Sequence, residues 1–246
     1  MKRLPPGSTA ALQGPAENGH LPGRVTALAY FTEMALGGSK MDTWDKLNAL
    51  HLDALREIGN IGAGNAATSL ASLLGNRVQM TVPRAGVLPL KDMVSLVGHE
   101  EEPVACVEFT VAGPAPSKIF FLLNETSAYL LVDLLLGRPV GTTNAIDDMG
   151  ASVLTEVSNI LAGSFLNAFS DFCHLNLIPS VPAFAFDMLG AVLSSAFLEG
   201  GYFSDRALVI ETKFYGEAIT INGHFFLVPE DRALGIILQS LGLQLD

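Results

Sequence analysis

Asp53-Ala-Leu-Arg-Glu57-Ile-Gly-Asn60-Ile-Gly-Ala-Gly64 and, later in the chain, Ser152-Val-Leu-Thr-Glu156-Val-Ser-Asn159-Ile-Leu-Ala-Gly163 carry the same polar quartet at the same spacing in apolar surroundings. At about 100° per residue, positions i, i+4, i+7 and i+11 fall within an arc of roughly 60° on a helix. Each quartet is therefore one polar stripe. Opposite the first lie Leu52, Leu55, Ile58, Gly62 and Ala66, and opposite the second Leu154, Val157, Leu161, Phe165 and Ala168, the pattern of a core-facing side. Both helices are expected to turn a glutamate and an asparagine to solvent.

From these helices outward the chain reads twice. The first is followed by Val82-Pro83, strand-like stretches at 104–110 and 118–123, and a helix over 125–136 that ends at Gly137. The second is followed by Val181-Pro182, strand-like stretches at 207–214 and 218–227, and a helix over 230–241 that ends at Gly242. Phe120-Phe121-Leu122 matches Phe225-Phe226-Leu227. Short turns between the strands, at Glu217 or at Asn222-Gly223, point to antiparallel hairpins. Phe184, Phe186, Leu189, Val192 and Phe197 suggest one more strand or hairpin. The expected fold is α+β: an internally duplicated unit with pseudo-two-fold symmetry, its largely antiparallel strands pooled in one sheet with long helices packed on it.

Residues 1–41 are rich in Pro, Gly, Ala and Ser and show no sustained period, which predicts a disordered extension. The folded unit is expected to be a single domain over 42–246, built of repeats at about 42–140 and 147–246, with Asp42 capping a helix that runs through Leu47, Leu52 and Leu55. With 246 residues, 49% hydrophobic and 16% charged, the chain is long and apolar enough to bury a sizeable core. Its net charge of −11 and pI near 4.8 argue against nucleic acid or anionic lipid as partners. Mean hydropathy is high at +0.39. Even so, the uncharged stretch from Ile58 to Asn76 holds too many Gly, Asn, Ser and Thr residues for a membrane span, and no secretory leader is read at the start. No membrane insertion and a cytoplasmic location are expected. Cys106 and Cys173 sit in apolar surroundings without CxxC spacing and read as buried inert thiols. The five histidines are scattered, so no metal site is indicated.

Glutamate and asparagine on solvated faces usually mean nothing, but here they recur in both copies. One structural reason is open: Asn60 and Asn159 could hydrogen-bond neighbouring backbone, since Asn competes for such partners in a helix. The functional reason is chemical. A carboxamide is no general base, yet it donates and accepts hydrogen bonds and can hold a water in line, which suits phosphoryl transfer. A carboxylate one turn away could anchor a lysine of a protein substrate. Gly64 and Gly163, on the outward stripes, would let a partner's backbone approach the amides.

Glu57-Ile-Gly-Asn60-Ile-Gly-Ala-Gly64-Asn65-Ala-Ala67 closely resembles the first active helix of the CheC-type chemotaxis phosphatases, and Glu156-Val-Ser-Asn159-Ile-Leu-Ala-Gly163 resembles the second. The resemblance spans about 42–246, including the duplication. It implies the CheC-like fold and a phosphatase acting on the aspartyl phosphate of a phosphorylated CheY-type response regulator. Asn60 and Asn159 would position water, and Glu57 and Glu156 would engage a lysine of the regulator. Asp53, Gly64, Ser152 and Gly163 would line the docking surface. The chain would need no cofactor of its own, with Mg²⁺ carried by the regulator, and the receptor deamidase CheD would be a second partner. The related CheX proteins keep a single Glu/Asn centre and the FliY proteins add a flagellar-switch domain, so both fit less well. The rival reading is an adaptor that binds CheD and regulator with little turnover; a flagellar-switch component is a third.

Overall fold

The computed structural model describes residues 46–73, 79–198, 206–215, 220–230 and 232–244. The extension expected over 1–41, the proposed cap Asp42 and the turn expected at Glu217 lie outside these residues. Helix α1 covers Ala49–Leu73, and Leu47 precedes it. Its cap is reciprocal: the His51 N–H donates to Asn48 Oδ1, and the Asn48 N–H donates to His51 Nδ1, both at 3.1 Å. This is the geometry of a capping box, with a buried imidazole in place of the usual glutamate.

The next elements are β1 (Gln79–Pro89), α2 (Leu90–Val97), β2 (Pro103–Ala112), β3 (Ser117–Asn124) and α3 (Glu125–Leu136). The second repeat supplies α4 (Asp148–Cys173), β4 (Ile178–Pro179), β5 (Ala183–Met188), α5 (Leu189–Leu198), β6 (Arg206–Tyr215), β7 (Thr220–Pro229) and α6 (Ala233–Ser240). Local chemistry sets several of these ends. Asn124 caps α3 by accepting from the Ser127 N–H at 2.9 Å, which gives the Asn-Glu-Thr triplet there a structural use. Gly137 closes α3 at φ 64°, a left-handed conformation that costs glycine nothing. Asp147 caps α4 through the Gly150 N–H at 2.7 Å. Between the repeats, the fully buried Asp133 carboxylate accepts from the Thr142 and Thr143 N–H groups and from the Thr143 hydroxyl, fastening the connecting loop to α3.

The strands form one seven-stranded antiparallel sheet in the order β1-β6-β7-β3-β2-β4, with β5 also paired to β2. The order shows an exchange. Strand β1 of the first repeat lies on the second repeat's hairpin β6–β7, and β5 of the second lies on the first repeat's hairpin β2–β3. The β3–β7 pair forms the seam. The two repeats are thus interlocked within one sheet rather than set side by side. Pro83 falls where the β1 register shifts between Thr81 and Arg84, an irregularity that an edge strand tolerates.

Neighbouring residues of a strand face opposite ways, so the sheet carries two cores. The larger joins Val107, Phe109, Phe121, Ile210 and Phe225 to the long helices α1 and α4 and to α3 and α6. The smaller joins Cys106, Phe120, Leu122, Val209 and Phe226 to Met93 and Val97 of α2 and to Leu189, Val192 and Leu193 of α5. Two expectations are corrected here. Asn222 and Gly223 are not a turn: they lie within β7, paired with Lys213 and Thr212. Glycine is there for space, because a Cβ would come within 2.8 Å of Thr212 Oγ1 and 2.9 Å of the Phe121 ring. Matching Phe120 with Phe225 also slips the repeats by one residue, since these two belong to opposite faces. The segment from Phe184 to Phe197 is a strand followed by a short helix.

Among the described residues, α4 is the one helix long and apolar enough to pass a membrane-span test by composition. Its apolar side, Leu154, Val157, Leu161, Phe165 and Phe169, is buried in the larger core.

Candidate functional site

Helices α1 and α4 pack on each other above the sheet, and where they meet Gly62 lies against the Phe165 ring; a Cβ at Gly62 would overlap it. Phe165 in turn packs on Phe225 of β7 with ring centroids 5.0 Å apart. This contact presses the apolar sides inward and leaves the quartets on the outside. Asp53, Glu57, Asn60 and Gly64 are all exposed, as are Ser152, Glu156 and Asn159, with Gly163 partly so.

The polar tips differ in how they are engaged. Neither Glu57 nor Asn60, nor Glu156 nor Asn159, has a side-chain hydrogen bond or ion pair within the described residues. The backbone-bonding alternative for the two asparagines therefore finds no counterpart in the geometry. Asp53 accepts from Arg56 Nη1 at 3.0 Å, and Ser152 Oγ donates to the Asp148 carbonyl at 2.7 Å. These first members of each quartet are tied within their own helix, while the glutamate and asparagine project freely. At Gly64 and Gly163 an added Cβ would have no neighbour within 4 Å. The space above each glycine is open to whatever approaches.

Chemistry elsewhere in the chain is muted. Burial pushes the Cys106 thiol far up, with the Glu108 carboxylate adding to the effect, and burial also raises Cys173 against an opposing hydrogen bond from Ser240. Both cysteines are buried, as their surroundings in sequence indicate. No group of three or more His, Cys, Asp or Glu side chains among the described residues stands close enough to hold a metal. One side chain beside the first stripe escapes the quartet pattern: Arg56, at i+3 from Asp53 and i−4 from Asn60. The signal was its spacing, since both offsets bring side chains together on a helix.

The sequence profile of the CheC-like family matches residues 50–87 and 149–185. The CheY-P phosphatase CheC of Bacillus subtilis (strain 168) is 32% identical over 209 residues, covering 83% of this chain and 100% of that protein. The chain belongs to the CheC-like family. Each profile segment of this CheC-like chain takes in one quartet helix and runs into the strand exchanged between repeats, β1 or β5. The crystal structure of Thermotoga maritima FliY matches with a TM-score of 0.62 at 18% identity, over 80% of this chain and 98% of that one. The FliM middle domain from H. pylori matches at 0.58 and 12% identity, over 79% and 99%. These two likenesses establish the α+β fold; sites are another matter, since one fold hosts many activities.

Proposed function

We propose that this protein hydrolyses the aspartyl phosphate of a phosphorylated CheY-type response regulator in chemotaxis, working in the cytoplasm. The observation that carries the reading is the paired stripe: two exposed Glu/Asn sets without partners among the described residues, each beside a glycine with open space above it. Family membership supplies the substrate class, because the Bacillus subtilis relative bears the name CheY-P phosphatase.

In the mechanism, the regulator docks on α1 or α4 and the asparagine amide enters beside its acyl phosphate. The Asn60 or Asn159 carboxamide accepts a hydrogen bond from a water and holds it in line with phosphorus. Water attacks phosphorus, the bond from phosphorus to the aspartate oxygen breaks, and the products are inorganic phosphate and a free carboxylate. Glu57 or Glu156, one turn back, pairs with a lysine of the regulator and fixes register. Gly64 and Gly163 admit its backbone. Mg²⁺ belongs to the regulator, where it offsets charge on the phosphoryl oxygens. CheD is a second partner, as the family resemblance implies.

The test follows decay of the phosphorylated regulator with the wild-type protein, Asn60→Ala, Asn159→Ala and the double variant, each also with CheD. Acceleration that survives either single change and disappears in the double variant, with CheD binding unchanged, is expected. No acceleration by the wild type, alone or with CheD, would replace the enzyme with an adaptor.

A further inference from the structure

The two stripes are alike in Glu, Asn and Gly but not in the residues just before them. The first has Asp53 and Arg56; at the same places the second has Ser152 and Thr155. Arg56 is half-exposed, with 50% of its side chain accessible, and is held by one hydrogen-bonded ion pair. Its Nη1 donates to Asp53 Oδ1 at 3.0 Å, and its Nε passes over β1 at Gly86, 3.9 Å from where a Cβ would stand. An exposed ion pair of this kind adds little to folding stability, so stability is a weak account of the arrangement. Its effect on the guanidinium is clearer. Arginine has five N–H donors in a planar fork, and Asp53 accepts from Nη1 only. The remaining donors are preorganised one turn from Asn60.

We propose, building on the phosphatase reading above, that Arg56 is a docking residue peculiar to the α1 centre, contacting an anionic group of the phosphorylated regulator. The whole chain carries a net charge of −11, and Asp53 and Glu57 add negative charge locally. An incoming acyl phosphate or a carboxylate beside it therefore meets a repulsive field, which Arg56 offsets at the point of contact. The α4 centre, with Thr155 there, docks the same substrate without this cation. The two centres then differ in substrate affinity and in salt dependence, not in the asparagine chemistry.

The experiment isolates each centre. Asn159→Ala leaves the α1 centre and Asn60→Ala the α4 centre; Arg56→Ala and Arg56→Lys are added to both. In the α1-only protein, Arg56→Ala is expected to raise KM about tenfold with kcat changed much less, and to flatten the salt dependence. Arg56→Lys recovers part of this, and the α4-only protein is indifferent to either change. Unaltered KM and salt dependence in the α1-only protein would overturn the assignment while leaving the phosphatase reading intact, as would equal losses in both backgrounds. Failure of every protein, wild type included, to speed decay would remove the phosphatase reading and this assignment together. Binding of the regulator with and without beryllofluoride locates the anion. A loss confined to the beryllofluoride form assigns the phosphoryl oxygens, an equal loss in both assigns a carboxylate, and no loss in either overturns the contact.

Discussion

Helices α1 and α4 occupy equivalent places in the two repeats, yet their two sides have had different fates. Inward, Gly59 and Gly62 of α1 answer to Ser158 and Leu161 of α4, and Ala66 answers to Phe165. The exchange is compensated: the bare surface at Gly62 receives the Phe165 ring, and the Ser158 hydroxyl is satisfied by the Leu154 carbonyl at 2.6 Å. Outward, Glu, Asn and Gly recur in both helices although, among the described residues, their polar side chains have no hydrogen-bond or ion-pair partner. A packed interior accepts different residues if total volume is kept, whereas the outer stripes are exposed among the described residues. A glycine inside a helix costs about 1 kcal/mol relative to alanine, and among the described residues nothing lies within 4 Å of where a Cβ would stand at Gly64 or Gly163 to require it. What the stripes share is therefore best explained by something that comes from outside.

The largest effect that bears on this comparison is chemical. Replacing both Asn60 and Asn159 by alanine should reduce the acceleration of regulator dephosphorylation on the order of 100-fold, with the melting temperature unchanged. A melting temperature that fell in step with activity would turn the stripes back into structural features. Gly62→Ala should be next: overpacking against Phe165 is expected to cost about 1–3 kcal/mol, seen as a lower urea midpoint. Gly64→Ala should have the opposite sign, stabilising by up to about 1 kcal/mol while slowing turnover through hindered docking. If the two glycine variants shifted the urea midpoint in the same direction, the distinction between inner and outer faces would fail.

The smallest effect concerns the thiols, which lie in the smaller core and at the end of α4. Because burial raises both Cys106 and Cys173, the folded protein should resist thiol reagents at about pH 8, reacting only on unfolding. The unfolded chain ionises its thiols first, so their burial contributes stability in full below the ordinary thiol range and loses it progressively as pH rises from that range towards the raised folded-state values. Urea midpoints measured on either side of about pH 9 check the sign.

Much of this was legible locally. Strand-like apolar stretches marked β2 and β3, Gly137 marked the end of α3, and the periodicity of α1 and α4 separated Leu55, Ile58, Leu154 and Val157, all buried, from Glu57, Asn60, Glu156 and Asn159, all exposed. The misreadings also have local causes. Asn222-Gly223 has the composition of a hairpin turn, but the glycine answers to crowding by Thr212 and Phe121, which are distant in sequence. Helix α2 is eight residues long and α5 ten, too short for periodicity to distinguish them from strands. Arg56 stands out only through its tertiary setting, because a charged residue on a helix is unremarkable until its partners are known.

By itself the sequence determined the duplication, the α+β class and which residues line the two stripes, because helix and strand periods are local properties of a chain. Only the tertiary structure decided that β1 and β5 are exchanged between the repeats, that a second helix layer covers the other face of the sheet, and that the two asparagines find no partner among the described residues. Those outcomes depend on pairing between segments remote in sequence, where the competing arrangements have similar local patterns and differ only in how surfaces fit.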